Sequence, residues 1–129
     1  MLNPSTADAS ADDPTIRRCT GFTPQGHSGP LVWNLFALRA TDPAALRTTL
    51  DPVGPLNDAA IDLALALSSR TIAAWGAQGS YLRRDTDVLR RCAAAGATLH
   101  ALKLTAAGMP GHPLYLPKTA AAEVWEYEW

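Results

Sequence analysis

Three apolar runs, residues 31–37, 71–75 and 98–104, are separated by stretches of helical period, and this alternation constrains the fold most. The first run, Leu31 through Ala37, is nearly unbroken, with Asn34 as the one polar residue inside it. Runs without polar alternation belong to strands covered on both faces, the signature of a parallel sheet. Asp13-Pro14 is a capped helix start, followed by Ile16, Cys19 and Phe22 at helical spacing. Thr41-Asp42-Pro43 opens a second short helix reaching about residue 50. Asn57 or Asp58 caps an apolar helix over 59–67, and Asp85 caps another that runs to 95 and stops at Gly96. Residues 77–84 read as a loop with a helical turn. Residues 105–117, with three prolines and two glycines, read as an irregular loop. The tail, 118–129, reads as a short helix whose Trp125, Tyr127 and Trp129 pack on the body.

Helices alternating with strands predict an α/β domain with a mainly parallel sheet. Such sheets bind ligands at the C-terminal ends of their strands. Asn3-Pro4, Asn34, Gly76 and His112-Pro113 all fall at or near such ends. The strand before Asn3 has only Met1-Leu2. The expectation is therefore a first strand truncated by an internal start, and otherwise a sheet edge that favours association.

Composition narrows the class. A chain of 129 residues fits one domain, and 47% hydrophobic with 18% charged residues is an ordinary globular balance. Neither a secretory leader nor an apolar run long enough for a membrane helix is present, so a cytoplasmic protein without membrane contact is expected. Net charge is −1, giving no global field for nucleic acid. Nine of the eleven cations are arginines, the better phosphate fork, so a local basic face is compatible with the sequence. Cys19 and Cys92 lie at apolar helical positions and read as buried reduced thiols. Two cysteines cannot furnish the four ligands of an iron–sulfur cluster, and no spacing resembles a zinc site. No cofactor and no metal is implied.

Four segments carry a resemblance. Met1-Leu2-Asn3-Pro4-Ser5, Leu31-Val32-Trp33-Asn34, Ala74-Trp75-Gly76 and His112-Pro113-Leu114-Tyr115-Leu116 resemble, in order and spacing, the site motifs of the uracil-DNA glycosylase superfamily. A closer similarity joins Met1–Asp8, Asp12–Cys19, Asn34–Pro43, Ala73–Gly76 and His112–Leu116 to a small bacterial and phage family of uncharacterised domains. The resemblance implies a three-layer sandwich with a short four-stranded, mainly parallel sheet over residues 1–117, followed by a tail over 118–129. It implies a pocket for a pyrimidine base, nucleotide or nucleic acid, and hydrolysis of an N-glycosidic bond. The alternatives are a non-catalytic nucleic-acid or nucleotide-binding domain on the same fold, and a small-molecule enzyme with another reaction.

On this resemblance Asn3 positions water, and His112 donates to a base oxygen as negative charge develops. Asp8, on the loop with Asn3, would be the base that an amide cannot be. Asn34 reads one edge of the base, and Phe36 or Trp33 stacks on it. Pro4, Ser5, Gly76 and Pro113 shape the pocket, Leu116 is the wedge, and Arg17 and Arg18 hold phosphate. Leu114 replaces the family's phosphate-gripping serine, and Tyr115 stands where a proline is expected. Ser5 is small where uracil-specific enzymes exclude a 5-methyl group. Each residue also has a plain structural use: Asn3 as a turn cap, Asn34 as a satisfied core amide, His112 as a loop brace, Asp8 as a solvent-exposed turn residue.

Overall fold

The computed structural model describes residues 1–5 and 13–127. It is a mixed α/β domain with three α-helices and a small three-stranded sheet among the described residues. The helices are α1 (Pro14–Gly21), α2 (Asn57–Leu67) and α3 (Arg84–Ala94). The strands are β1 (Thr71–Ala73), β2 (Leu99–Ala101) and β3 (Glu123–Val124), in that spatial order. β1 and β2 run parallel, with Thr71 opposite Leu99 and Ala73 opposite Ala101. β3 runs antiparallel to β2. The sheet is thus smaller and more mixed than the four mainly parallel strands expected.

Local chemistry explains the successes. Asp13 caps α1, its Oδ1 accepting from the backbone of Thr15 at 2.7 Å and Ile16 at 3.4 Å, with Pro14 at the first position. Asp42 caps a single 3₁₀ turn over Pro43–Arg47 in the same way. The expected caps of the next two helices are corrected. Leu56, not Asn57 or Asp58, precedes α2, and no side chain caps it. Arg83, in a left-handed conformation, precedes α3, and Asp85 lies inside the first turn. Acidic Asp85 and Asp87 still suit that position through the helix dipole.

The run 31–37 does not form a regular strand and bends at Leu35. The Met1 amino group donates to the Trp33 carbonyl at 2.8 Å and Leu35 N–H donates to the Met1 carbonyl at 2.8 Å, the pattern of one parallel rung about Asn34. Two residues cannot propagate a ladder. On the other flank, Ala37 and Leu38 donate to Val53 and Pro52 at 3.1 Å each.

The tail is the clearest departure. Val124 and Glu123 pair with His100 and Ala101, so the expected helix is a strand. Trp125 and Tyr127, two residues apart, share one face and pack on the core, with Trp125 edge-on to Trp75 at 5.6 Å. Trp129 lies outside the described residues.

The core gathers Leu35, Phe36, Leu46, Ile61, Val88, Cys92 and Leu99, all essentially without solvent contact. Each large side chain buried this way contributes about 1.5–3 kcal/mol. Cys92 is buried there as a free thiol, and burial pushes it up to about 11; Cys19 is free and half-buried. Two consecutive non-glycine residues before α3, Leu82 (φ 53°) and Arg83 (φ 55°), are left-handed. Such residues cost about 1–3 kcal/mol each and persist only where the surroundings hold them. No helix among the described residues is long and apolar enough to cross a membrane.

Candidate functional site

A cleft of about 1590 Å³ opens where the first turn, the segment after β1 and the loop after β2 meet. Asn3, Pro4, Ser5, Asn34, Gly76, His112 and Leu116 all lie in its walls, together with Arg17. Residues far apart in sequence are therefore brought to one place as expected. Four expected residues are not. Phe36 is 0% exposed and packs on Tyr81 at 5.9 Å inside the core. Pro113 is buried and lines a separate cavity of about 700 Å³, as does Trp33. Arg18 points to the loop instead, its guanidinium donating to the Leu116 carbonyl and lying 5.6 Å over the Phe22 ring. Asp8 lies outside the described residues.

Asn3 holds the opening turn in place. Its Nδ2 donates to the carbonyls of Ala40 at 2.8 Å, Pro4 at 3.2 Å and Leu38 at 3.4 Å. With both amide protons used, its Oδ1 is the group left to act as an acceptor. Ser5 is exposed; its hydroxyl donates to Asp13 at 3.2 Å and its carbonyl accepts from Arg39 at 3.1 Å. Burial works to raise the Asp13 carboxyl, but hydrogen bonds from Thr15, Ile16 and Ser5 outweigh it and hold the group below the ordinary carboxylate range.

Asn34 is the unusual member. Its Oδ1 is buried and has no hydrogen-bond partner among the described residues. A buried acceptor left unpaired costs about 1–3 kcal/mol, so such atoms call for an explanation.

His112 caps the 3₁₀ turn Pro113–Tyr115, its Nδ1 accepting from Leu114 N–H at 3.2 Å. An acceptor at Nδ1 puts the proton of the neutral ring on Nε2, which is then a donor. Burial, and after it the Met1 amino group, push the imidazole below its ordinary range, with Asp13 opposing. The ring is neutral at pH 7.

Gly76 sits at φ 72°, ψ −169°, a conformation only glycine adopts readily, and its N–H donates to the Pro110 carbonyl at 2.7 Å. This turn delivers the chain from β1 into the cleft wall.

Several wall residues had no role expected from the sequence. Tyr115 is 82% exposed and lies 5.5 Å from the His112 ring. It is an exposed aromatic side chain of the cleft wall, whereas Trp75, which also lines it, is buried. Arg39 and Lys103 join Arg17 as cations in the walls. Among the described residues no three of His, Cys, Asp and Glu gather in a way that could hold a metal ion.

Comparison with known proteins gives one decisive match. Residues 1–114 match the family described as "Protein of unknown function (DUF1643)". The chain is a DUF1643 protein. The matched span includes Asn3, Asn34, Gly76 and His112 and ends within the His112–Leu116 loop, so it contains most of the cleft. No curated protein and no solved structure matches the chain. The DUF1643 match ends before β3, which supplies the third strand of the sheet.

Proposed function

We propose that this DUF1643 protein binds a pyrimidine base, carried by a nucleotide or nucleic acid, in the cleft and hydrolyses its N-glycosidic bond. The observation that carries the reading is Asn34 Oδ1, a buried acceptor without a partner on the same cleft as the neutral imidazole of His112. An unpaired acceptor and a donor on one cleft match the donor and acceptor edges of a pyrimidine. The resemblance of the four segments to uracil-DNA glycosylases supports the same assignment.

The proposed roles combine the cleft geometry with the resemblance. Asn34 accepts from the ring N–H of the base. His112 Nε2–H donates to a base oxygen as the C–N bond lengthens and charge moves onto the ring. Asn3 Oδ1 accepts a hydrogen bond from the attacking water and so orients its oxygen toward the sugar. That oxygen bonds to the anomeric carbon, the C–N pair leaves with the base, and the surplus proton goes to solvent. Tyr115 supplies the stacking surface, Leu116 fills the space a displaced base vacates, and Pro4, Ser5 and Gly76 shape the floor. Arg17 holds phosphate.

Binding without cleavage is the second reading. It is favoured by Asp13, which among the described carboxylates of the wall is committed to capping α1 and is a weak base. Incubation with uracil- and thymine-containing nucleotides, single strands and duplexes, with free base read by mass spectrometry, separates the two. Base release that disappears in Asn3→Ala and His112→Ala, with both variants folded, supports hydrolysis. Saturable binding without release selects the second reading. Absence of both binding and release overturns the assignment.

A further inference from the structure

We infer that Arg84 and Asn57 are positioning residues that fix Asn34 for ligand recognition, a role that builds on the function proposed above. The Leu35 carbonyl accepts from Arg84 Nε at 2.7 Å and from Asn57 Nδ2 at 2.9 Å. The same Asn57 amide donates to the Asn34 carbonyl at 3.1 Å. On the opposite edge, Leu35 and Phe36 N–H donate to the Met1 and Leu2 carbonyls at 2.8 and 2.9 Å. The Phe36 ring is held against Tyr81. From the Asn34 carbonyl to the Phe36 amide, every backbone polar group has a partner. The Asn34 Oδ1 is left unpaired. A segment tied on both edges holds its one buried, unsatisfied side-chain acceptor in a single orientation, in which it has no partner among the described residues.

The clamp is itself over-determined. Arg84 is 4% exposed, and Asp58 neutralises it at 2.5 Å. Asp58 also pairs with Arg91 at 2.5 Å, and Arg91 with Asp62 at 2.7 Å, joining α2 to α3. Arg84 begins α3 immediately after the left-handed pair Leu82-Arg83. The strained turn sets the helix start so that the guanidinium reaches a carbonyl 49 residues earlier in the chain. A buried arginine is rarely the most stable filling for a core, so its retention asks for a geometric reason. Holding Asn34 supplies one.

The test uses the full chain, uridine 5′-monophosphate as probe, and Arg84→Met, Asn57→Ala and Asn34→Ala singly and in pairs. Side-chain amide NMR of Asn34 gives a reading that needs no ligand. Arg84→Met is expected to broaden or average the Asn34 amide signals and to weaken the probe about tenfold, the loss of one charge-assisted hydrogen bond. In the Asn34→Ala background it is expected to change affinity less than about twofold, because the effect travels through Asn34. Asn57→Ala, which leaves the buried charge in place, is expected to act the same way and serves where Arg84→Met does not fold. An unchanged Asn34 amide, or equal losses with and without Asn34, overturns the inference. A parent protein that binds no pyrimidine overturns the proposed function instead, while the amide signals still decide the clamp.

Discussion

Gly79→Ala is the most direct probe of how the cleft wall is packed. An added Cβ would lie 2.1 Å from Trp75 Cδ1, 2.7 Å from Nε1 and 2.9 Å from Cγ. Ordinary contact begins at about 3.4 Å, so the indole or the 3₁₀ segment over Ala77–Arg83 must move by more than an ångström. Neither moves freely. Trp75 is 3% exposed and is packed edge-on by Trp125. The segment ends in the left-handed pair Leu82-Arg83, immediately before α3. Overpacking a rigid site costs about 1–3 kcal/mol. With an unfolding entropy of about 2.1 cal/mol/K per residue, that lowers Tm of this chain by roughly 4–11 °C. Circular dichroism melts at matched concentration measure it. Tryptophan emission at low temperature reports the displaced indole independently. Because Trp75 adjoins Gly76 in the cleft wall, ligand affinity falls as well. A variant that melts within about 1 °C of its parent with unchanged emission refutes the wedged indole.

Phe36→Ala removes a fully buried ring and is expected to cost about 3–5 kcal/mol in denaturant unfolding. Tyr115→Ala is expected to leave stability within about 0.5 kcal/mol and to weaken pyrimidine binding about tenfold, an order set by a stacking term of 1–3 kcal/mol. The opposite pattern would return Phe36 to the site. For His112, whose folded value lies below the unfolded one of about 6.5, the unfolded chain binds more protons between the two. Its contribution is complete above about pH 6.5 and is lost as pH falls through the folded value; ligand binding, which uses the neutral ring, weakens only as pH falls through the folded value itself. Binding that stays unchanged while the His112 ring titrates, followed by NMR, would exclude the imidazole from the contact. Burial works to raise Asp58, but Arg84 and Arg91 hold it below the ordinary carboxylate value of about 3.9. Its stabilisation is complete above that pH and is lost as pH drops through the folded value, so Asp58→Asn should flatten the acid limb of the stability curve. With 41% of the side chain exposed, the effect at pH 7 is expected to stay below the full cost of breaking a buried pair.

Local signals in the sequence proved reliable where the responsible atoms are neighbours. Asp13-Pro14 and Asp42-Pro43 begin helical turns because the capping carboxylate and its backbone N–H donors lie within three residues. Gly76 and His112 reach the cleft because turn chemistry fixes both. The sequence misled where distant partners decide. Asn57 and Asp58 look like caps, yet their side chains serve a carbonyl and two arginines from elsewhere in the chain. Phe36 lies two residues from the cleft residue Asn34 in sequence, but its side chain belongs to the core with Leu35. The tail carried a readable clue, since Trp125 and Tyr127 repeat at the strand period, but pairing with β2 decides it. Tyr115 drew notice as a departure from a pattern, and its exposure beside His112 gives it a use.

The Leu35 carbonyl, which receives donors from both α2 and α3, bears on the order in which the molecule assembles. Contacts spanning 22 and 49 residues close only after the intervening chain has folded back. Asn34 thus acquires its final orientation late, when both helices have docked, and loses it early if α3 loosens. Recognition is then linked to the cohesion of a helix that contributes no wall to the cleft. A ligand held by Asn34 will slow amide exchange in α3, remote from its own atoms.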